Sequence, residues 1–473
     1  MKSRISLLLA MLLPGLLAFG QADTVLFPVK VVLDMVAANH PALRQAALLS
    51  KSAELNLRQA RGSFDPKMFL DNSNKQFQGK NYYDVLHVGL KVPTWFGLEG
   101  QFGYEQAQGT NLDPGQLLPP SGLSYAGLSM PLLRGLLTDQ RRTALAMAKV
   151  QVQSTVFERQ QLLNGLCADV FSAYVRWYGA FLEYELFSSA TRAAELRLRQ
   201  VKQSVLAGER ARIDTLENDV LRRNFTLSRD AAGAKMLKTS LELSVHLWSE
   251  QGEPLEMASA LKPGVIGLEV LDSMADAWNF NRMRSDVQQL QPLLREQGNN
   301  LNLYVLERRL KQQTLLPELN LKYNILTEGI YRANPPAVPY WNNYRWGISA
   351  QSSLFLRKER AAYGLADVKL EQARIKYRMK SLETTRKLQA YWSMYATYNA
   401  LEQDYRKVVA GYQSLLDAEL ARLEAGESTL FLVNTREIRF LESRLKLVEY
   451  QMARYQYLLD YLREAGQLWR FFP

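Results

Sequence analysis

The chain has 473 residues, 47% hydrophobic and 22% charged, with 58 Lys plus Arg against 47 Asp plus Glu and a formal net charge of +11. Such a composition belongs to a folded protein rather than a disordered or collagen-like one, and a mean hydropathy of −0.22 excludes a polytopic helical membrane protein. A single cysteine, Cys167, and three histidines far apart in sequence, His40, His87 and His246, exclude a disulfide framework and a multi-cysteine metal site, and leave little for a histidine-based active site.

Residues 1–22 carry Lys2 and Arg4, then the apolar run from Ile5 to Leu17, then the small residues around Ala18, Gly20 and Ala22. This is the three-part pattern of a secretory signal peptide, with cleavage expected near Gln21 or Asp23. An exported chain is not expected to meet nucleic acid, despite its basic charge. No later stretch of about 18 apolar residues follows, so any membrane crossing has to be made by strands.

The remainder reads as one unit written twice, over 23–265 and 266–473. His40-Pro41-Ala42-Leu43-Arg44 matches Gln291-Pro292-Leu293-Leu294-Arg295 at an offset of 251, and Pro66-x-Met68-x-Leu70 matches Pro317-x-Leu319-x-Leu321 at the same offset. Gly127-Leu128-Ser129 then matches Gly347-Ile348-Ser349 at 220, and Ala207-Gly208-Glu209 matches Ala425-Gly426-Glu427 at 218. The fall from 251 to 220 places an insertion in the first repeat, at about 77–120. The first repeat is expected to hold a helix over 42–62, strands within 66–132 and a helical hairpin over 137–250; the second holds a helix over 293–314, strands within 317–355 and a hairpin over 356–465.

The hairpins follow from proline placement. No proline occurs between Pro131 and Pro254 or between Pro339 and Pro473, and helix formers dominate both gaps. A helix from Leu356 to Ala425 would be roughly 100 Å long and needs neighbours along its whole length. Leu163, Leu166, Val170, Ala173, Trp177, Ala180, Tyr184 and Phe187 keep the alternating 3,4 spacing of a coiled-coil seam. Leu388, Tyr391, Tyr395, Tyr398, Tyr405, Val409, Tyr412 and Leu416 keep it too, with one lapse at Glu402. Gly208 and Gly426 then supply the left-handed residue that ends a helix and turns the chain back, giving polar tips at Gly208, Glu209, Gly426 and Glu427.

Period-2 segments precede each long helix: Tyr344, Trp346, Ile348 and Ala350 alternate with Arg345, Gly347, Ser349 and Gln351. The repeat logic gives four strands, and a generous count gives six. Neither closes a spanning barrel of eight or more, so several protomers would have to pool strands. Because both long helices should start on the same side, the insertion has to add an even number of spanning strands or none. Tyr82, Tyr83, Trp95, Phe96, Tyr340, Trp341, Tyr344 and Trp346 are placed to form an aromatic girdle at bilayer interfaces, or to pack a soluble β-domain.

Signal, helix, strands, very long helix, glycine turn and returning helix, repeated in that order, resemble the TolC-like outer-membrane efflux protein family. The resemblance runs from about Phe27 to Trp469. It rests most on the Pro66 and Pro317 junctions, the Gly-Leu-Ser-Met-Pro-Leu segment at 127–132, and the two turns followed by Ile213-Asp214-x-Leu216 and Phe431-Leu432-x-Asn434. It implies a mainly α fold with a β-barrel part: a homotrimer whose chains each give four strands to an outer-membrane β-barrel and their helices to a periplasmic α-barrel, with the second hairpin lining the entrance. It implies a periplasmic adaptor and an inner-membrane pump, proton-driven or ABC type, as partners besides the lipid bilayer. The family's acidic entrance positions, six and nine after the second glycine, hold Leu432 and Thr435 here; the same offsets in the first repeat hold Asp214 and Glu217, and Glu427 is a further acidic candidate.

The function expected is a passive exit duct of an efflux or type I secretion system, in the outer membrane of a Gram-negative bacterium. The competing reading is an exported coiled-coil scaffold or adaptor that forms no pore. No enzyme, cofactor or metal is expected: G-x-x-x-x-G-K-[ST], H-E-x-x-H and C-x-x-C are all missing.

Overall fold

The computed structural model describes residues 25–257, 261–264, 271–273, 277, 280–329 and 342–472. The signal segment at 1–22 and two of the expected girdle residues, Tyr340 and Trp341, lie outside them. The chain forms two compact units: one holds Met1–His40, Asp169–Met274 and Met394–Leu459, the other Pro41–Ala168, Ala275–Ser393 and Asp460–Pro473.

The second of these units carries a six-stranded sheet. Helix α2 (Pro41–Gly62) leads through Pro66 into β2 (Lys67–Phe77), followed by β3 (Lys80–Pro93), β4 (Glu99–Gln108) and β5 (Leu123–Pro131). Helix α6 (Pro292–Gln313) leads through Pro317 into β7 (Glu318–Glu328) and β8 (Tyr344–Gln351). At both junctions proline disfavours helical backbone in the residue before it, so the chain leaves the helix and enters the sheet extended. The order is β2-β3-β4-β5-β7-β8, antiparallel throughout. The resemblance implied four strands and the period-2 count allowed six; among the described residues six form this sheet, because the insertion at about 77–120 supplies β3 and β4, seated between β2 and β5.

The register sorts the side chains into two faces. Met68 and Leu70, Leu86, Val88 and Leu90, Phe102, Leu128, Leu321 and Tyr323, and Trp346 and Ile348 share one face, which is apolar. Many of them are solvent-exposed in the single chain, Met68 at 82% and Leu70 at 71%. The other face carries Asp71, His87, Lys91, Gln101, Glu105, Lys322, Asn324 and Arg345. Arg345 on β8 donates to both carboxylate oxygens of Glu105 on β4, at 2.8 and 3.0 Å. Two strands, β5 and β7, separate them, a distance of about 14 Å in a flat sheet, so the sheet curls towards its polar face.

In the same unit, α6 begins on a cap: Gln291 Oε1 accepts from the Leu294 backbone N–H at 3.0 Å. The start of α3 (Gln140–Leu206) also lies here, where Asn164 accepts from Leu468 N–H at 2.9 Å and donates to Arg463 O at 2.8 Å, holding the C-terminal turn Leu468–Phe471 in place. Helices α5 (Phe280–Leu290) and α7 (Arg357–Glu424) complete it.

The other unit contains the remainder of α3 and α7, the returning helices α4 (Arg212–Ser244) and α8 (Leu430–Ala465), helix α1 (Val29–Asn39) and a two-stranded parallel ribbon of β1 (Val25–Pro28) and β6 (Leu261–Gly264). The first-repeat seam is its core: Val170, Ala173, Trp177 and Ala180 are at most 1% exposed. Tyr174, also buried, anchors the ribbon: its hydroxyl lies 2.9 Å from Phe27 O and 2.8 Å from Gly264 O and accepts from Gly264 N–H. A second cluster packs Leu186, Ala190, Ala194, Leu221, Phe225 and Leu441 together from α3, α4 and α8.

Candidate functional site

The two hairpin tips have the same backbone. Gly208 and Gly426 both take φ of +78°, a region closed to most L side chains. Glu209 N–H donates to Ser204 O at 2.9 Å and Glu427 N–H to Arg422 O at 2.8 Å, while each glycine N–H donates to the carbonyl three residues before it. These are paired Schellman-type ends that satisfy the last carbonyls of α3 and α7. All four tip residues are exposed, and Leu206 (88%), Ile213, Leu216 and Phe431 beside them present apolar surface to solvent.

Besides Glu427 at the tip, the candidate entrance residues fall into three situations. Asp214 stands in the first turn of α4, where a carboxylate complements the helix dipole; the N-cap itself is Ala211, with no side-chain cap. Leu432 and Thr435 lie on the exposed side of α8's first turns, and the Thr435 hydroxyl donates back to Phe431 O. Glu217 is engaged: Asn434 Nδ2 donates to it at 3.2 Å, Asn434 Oδ1 accepts from Arg197 at 3.1 Å, and Arg197 also pairs with Glu437. Asn434 and Glu437 are both buried. This network joins α3, α4 and α8, so Glu217 is held at an interhelix contact.

A second polar network occupies the lapse in the α7 seam. Glu402, 6% exposed, pairs with Arg454 of α8 at 2.8 Å, and Arg454 also pairs with Asp272 at 3.0 Å. Tyr395 donates to Asp272 at 3.3 Å. Further along α7, Glu419 is again buried, accepting from the Ser428 hydroxyl and facing Arg436 at 3.7 Å. Sequence reasoning missed these groups; the interruption of the stripe at Glu402 was their only local signal.

On the sheet, the aromatic candidates separate to opposite ends. Trp95 and Phe96, exposed, sit in the β3–β4 turn at the end where α2, α3, α6 and α7 join the strands. Tyr82 and Tyr83 begin β3 at the other end, and Tyr344 begins β8 there, stacked on Tyr323 with ring centroids 5.9 Å apart. Trp346 follows two residues along the same apolar face. The polar face holds a cleft of about 570 Å³ to which all six strands contribute, among them Asp71, His87, Glu105, Tyr125, Asn324 and Arg345. His87 Nε2 lies 2.8 Å from the Tyr125 hydroxyl and 3.4 Å from Glu105.

His40 and His246, 206 positions apart in sequence, stack with ring centroids 6.2 Å apart beside Trp248. Burial holds both imidazoles below the ordinary histidine range. Among the described residues no group of three or more His, Cys, Asp or Glu could hold a metal ion, and no helix is long and apolar enough to cross a membrane.

No protein-family model matches the chain, and no curated protein matches it significantly. Solved structures do. The open state of the Neisseria gonorrhoeae MtrE outer membrane channel is similar at a TM-score of 0.65 and 13% identity, covering 93% of this chain and 89% of that one. The outer-membrane channel OprN gives 0.64 and 14%, covering 93% and 90%. The outer membrane protein VceC from Vibrio cholerae gives 0.60 and 12%, covering 93% and 96%. With the duplicated hairpins and the curled antiparallel sheet, these likenesses show that the chain has the TolC-like fold of outer-membrane channel proteins.

Proposed function

We propose that the chain is the outer-membrane exit duct of a tripartite efflux or type I secretion system in a Gram-negative bacterium. It acts as a passive homotrimeric channel, opened by a periplasmic adaptor and energised by an inner-membrane pump, and performs no catalysis. The observation that carries the reading is the two-faced sheet. A continuous apolar face exposed on one side and a charged face on the other is the alternation of a barrel wall between lipid and water, whereas a periplasmic scaffold has no use for it. In this reading Trp95 and Phe96 mark one bilayer interface, and Tyr82, Tyr83, Tyr344 and Trp346 the other.

The second-repeat hairpin lines the entrance, with Glu427, Leu432 and Thr435 at the opening; the tips at Gly208, Glu209, Gly426 and Glu427 dock the adaptor, Asp214 stands on the outer, first-repeat hairpin, and Glu217 ties that hairpin to α8. Carboxylates repeated by symmetry attract cations there by field focusing.

The test is single-channel conductance of detergent-purified protein in planar bilayers, with its oligomeric mass measured in the same detergent. A trimer with small cation-preferring pores, whose preference weakens in Glu427→Gln or Asp214→Asn, is the expected result. A water-soluble monomer or dimer that makes no pores would sink the duct and leave the scaffold.

A further inference from the structure

We infer that three copies of the chain close an eighteen-stranded barrel, with β8 of one copy pairing with β2 of the next. The inference rests on the homotrimeric duct proposed above and adds to it the composition of its wall. Six strands of one chain already form a single antiparallel sheet.

The two outer strands are unfinished. Every residue of β8 is exposed, as are all but one of β2, and β8 has no proline, lysine or bulge of the kind that blunts a terminal edge. Both continue the two faces to the rim of the sheet, with Met68 and Leu70 on β2 and Trp346 and Ile348 on β8 on the apolar side. In hydrocarbon the open backbone groups of such edges have to be paired. A second copy fits them without a change of rule: β2 starts and β8 finishes at the end where the helices join, so β8 beside a neighbour's β2 is antiparallel, like every pair within the chain.

The inserted strands belong to the wall. β3 and β4 have 14 and 10 residues, long enough to span, and their Leu86, Val88, Leu90 and Phe102 extend the apolar face. They are also fitted to their neighbours. Phe69 of β2 lies over Gly89 of β3, and Tyr125 of β5 over Gly103 of β4, so closely that a Cβ on either glycine would stand 2.5 Å from the ring or its hydroxyl. Such close approaches need glycine and fix β2 to β3 and β4 to β5.

Barrel diameter grows roughly linearly with strand number, so eighteen strands give a bore about 1.5-fold wider than twelve would.

The test uses the full chain as a trimer in lipid nanodiscs, imaged by cryo-electron microscopy to count the strands. It is paired with oxidative cross-linking of cysteines at Met68, Leu70 or Asn72 against cysteines at Trp346, Ile348 or Ala350. Eighteen strands, with covalent trimers from β2–β8 pairs, are expected. A trimeric pore walled by twelve strands, with β3 and β4 outside the wall, overturns the inference and leaves the duct. A protein that forms no trimer and no pore overturns both.

Discussion

Arg454 on α8 and Glu402 on α7 form an ion pair at 2.8 Å, at the position where the apolar seam of α7 is interrupted. Both side chains are largely withdrawn from solvent, and Asp272 completes the cluster. Removing one partner strands a buried charge, at a cost of about 3–5 kcal/mol, whereas replacing both by apolar residues is often close to neutral. Arg454→Met should therefore lower the thermal unfolding midpoint clearly, and the double variant Arg454→Met with Glu402→Leu should recover part of the loss. A double variant no better than the single one would show that the pair does not act as a unit.

The histidine pair predicts a pH dependence. Burial lowers both folded-state pKa values; His246 lowers His40 further, and at His246 Asp169 opposes the shift while Arg176 adds to it. The unfolded chain then binds more protons than the folded one as pH falls below about 6.5, and stability falls with it. Above that range the pair contributes no slope. Unfolding midpoints between pH 8 and pH 5 should decline less in His246→Gln than in the parent chain; equal slopes would remove the pair as a cause.

The faces of β8 can be tested residue by residue. Ile348 lies on the apolar face and Ser349 on the polar one. If the apolar face meets lipid, Ile348→Arg should cost about 2–4 kcal/mol near the bilayer midplane, and Ser349→Arg little. Unfolding from lipid vesicles in denaturant compares the two, and equal costs would contradict the assignment of faces.

The Arg197–Asn434–Glu217 network ties the start of α8 to α3 and α4. Asn434→Leu leaves Arg197 and Glu217 short of a partner, a loss of roughly 1–3 kcal/mol. Amide hydrogen exchange should quicken across the first three turns of α8 while the sheet is unaffected. Unchanged exchange in α8 would mean that the apolar cluster around Leu441 holds it alone.

Local signals carried much of the architecture. The glycine turns, the Pro66 and Pro317 junctions and the alternation at 344–351 each act within a few residues, and the resemblance that implied the fold class rested on their order. The repeat comparison undercounted strands because β3 and β4 have no counterpart in the second repeat. The alternation of the chain itself, counted generously, allowed all six. Glu402 read as a flaw because its partners, Arg454 and Asp272, are brought to it only by folding. His40 and His246 looked unrelated for the same reason. Of the entrance candidates, Glu217 was legible as a carboxylate near a tip, but its engagement with Asn434 depends on how three helices pack.

The sheet's parity carries a lesson about descent. An inserted hairpin goes out and comes back, so adding or deleting one leaves every helix on the side of the sheet where it began. A lineage with this fold can lengthen its sheet two strands at a time through changes confined to a loop, while the glycine turns of the helical hairpins stay as they were.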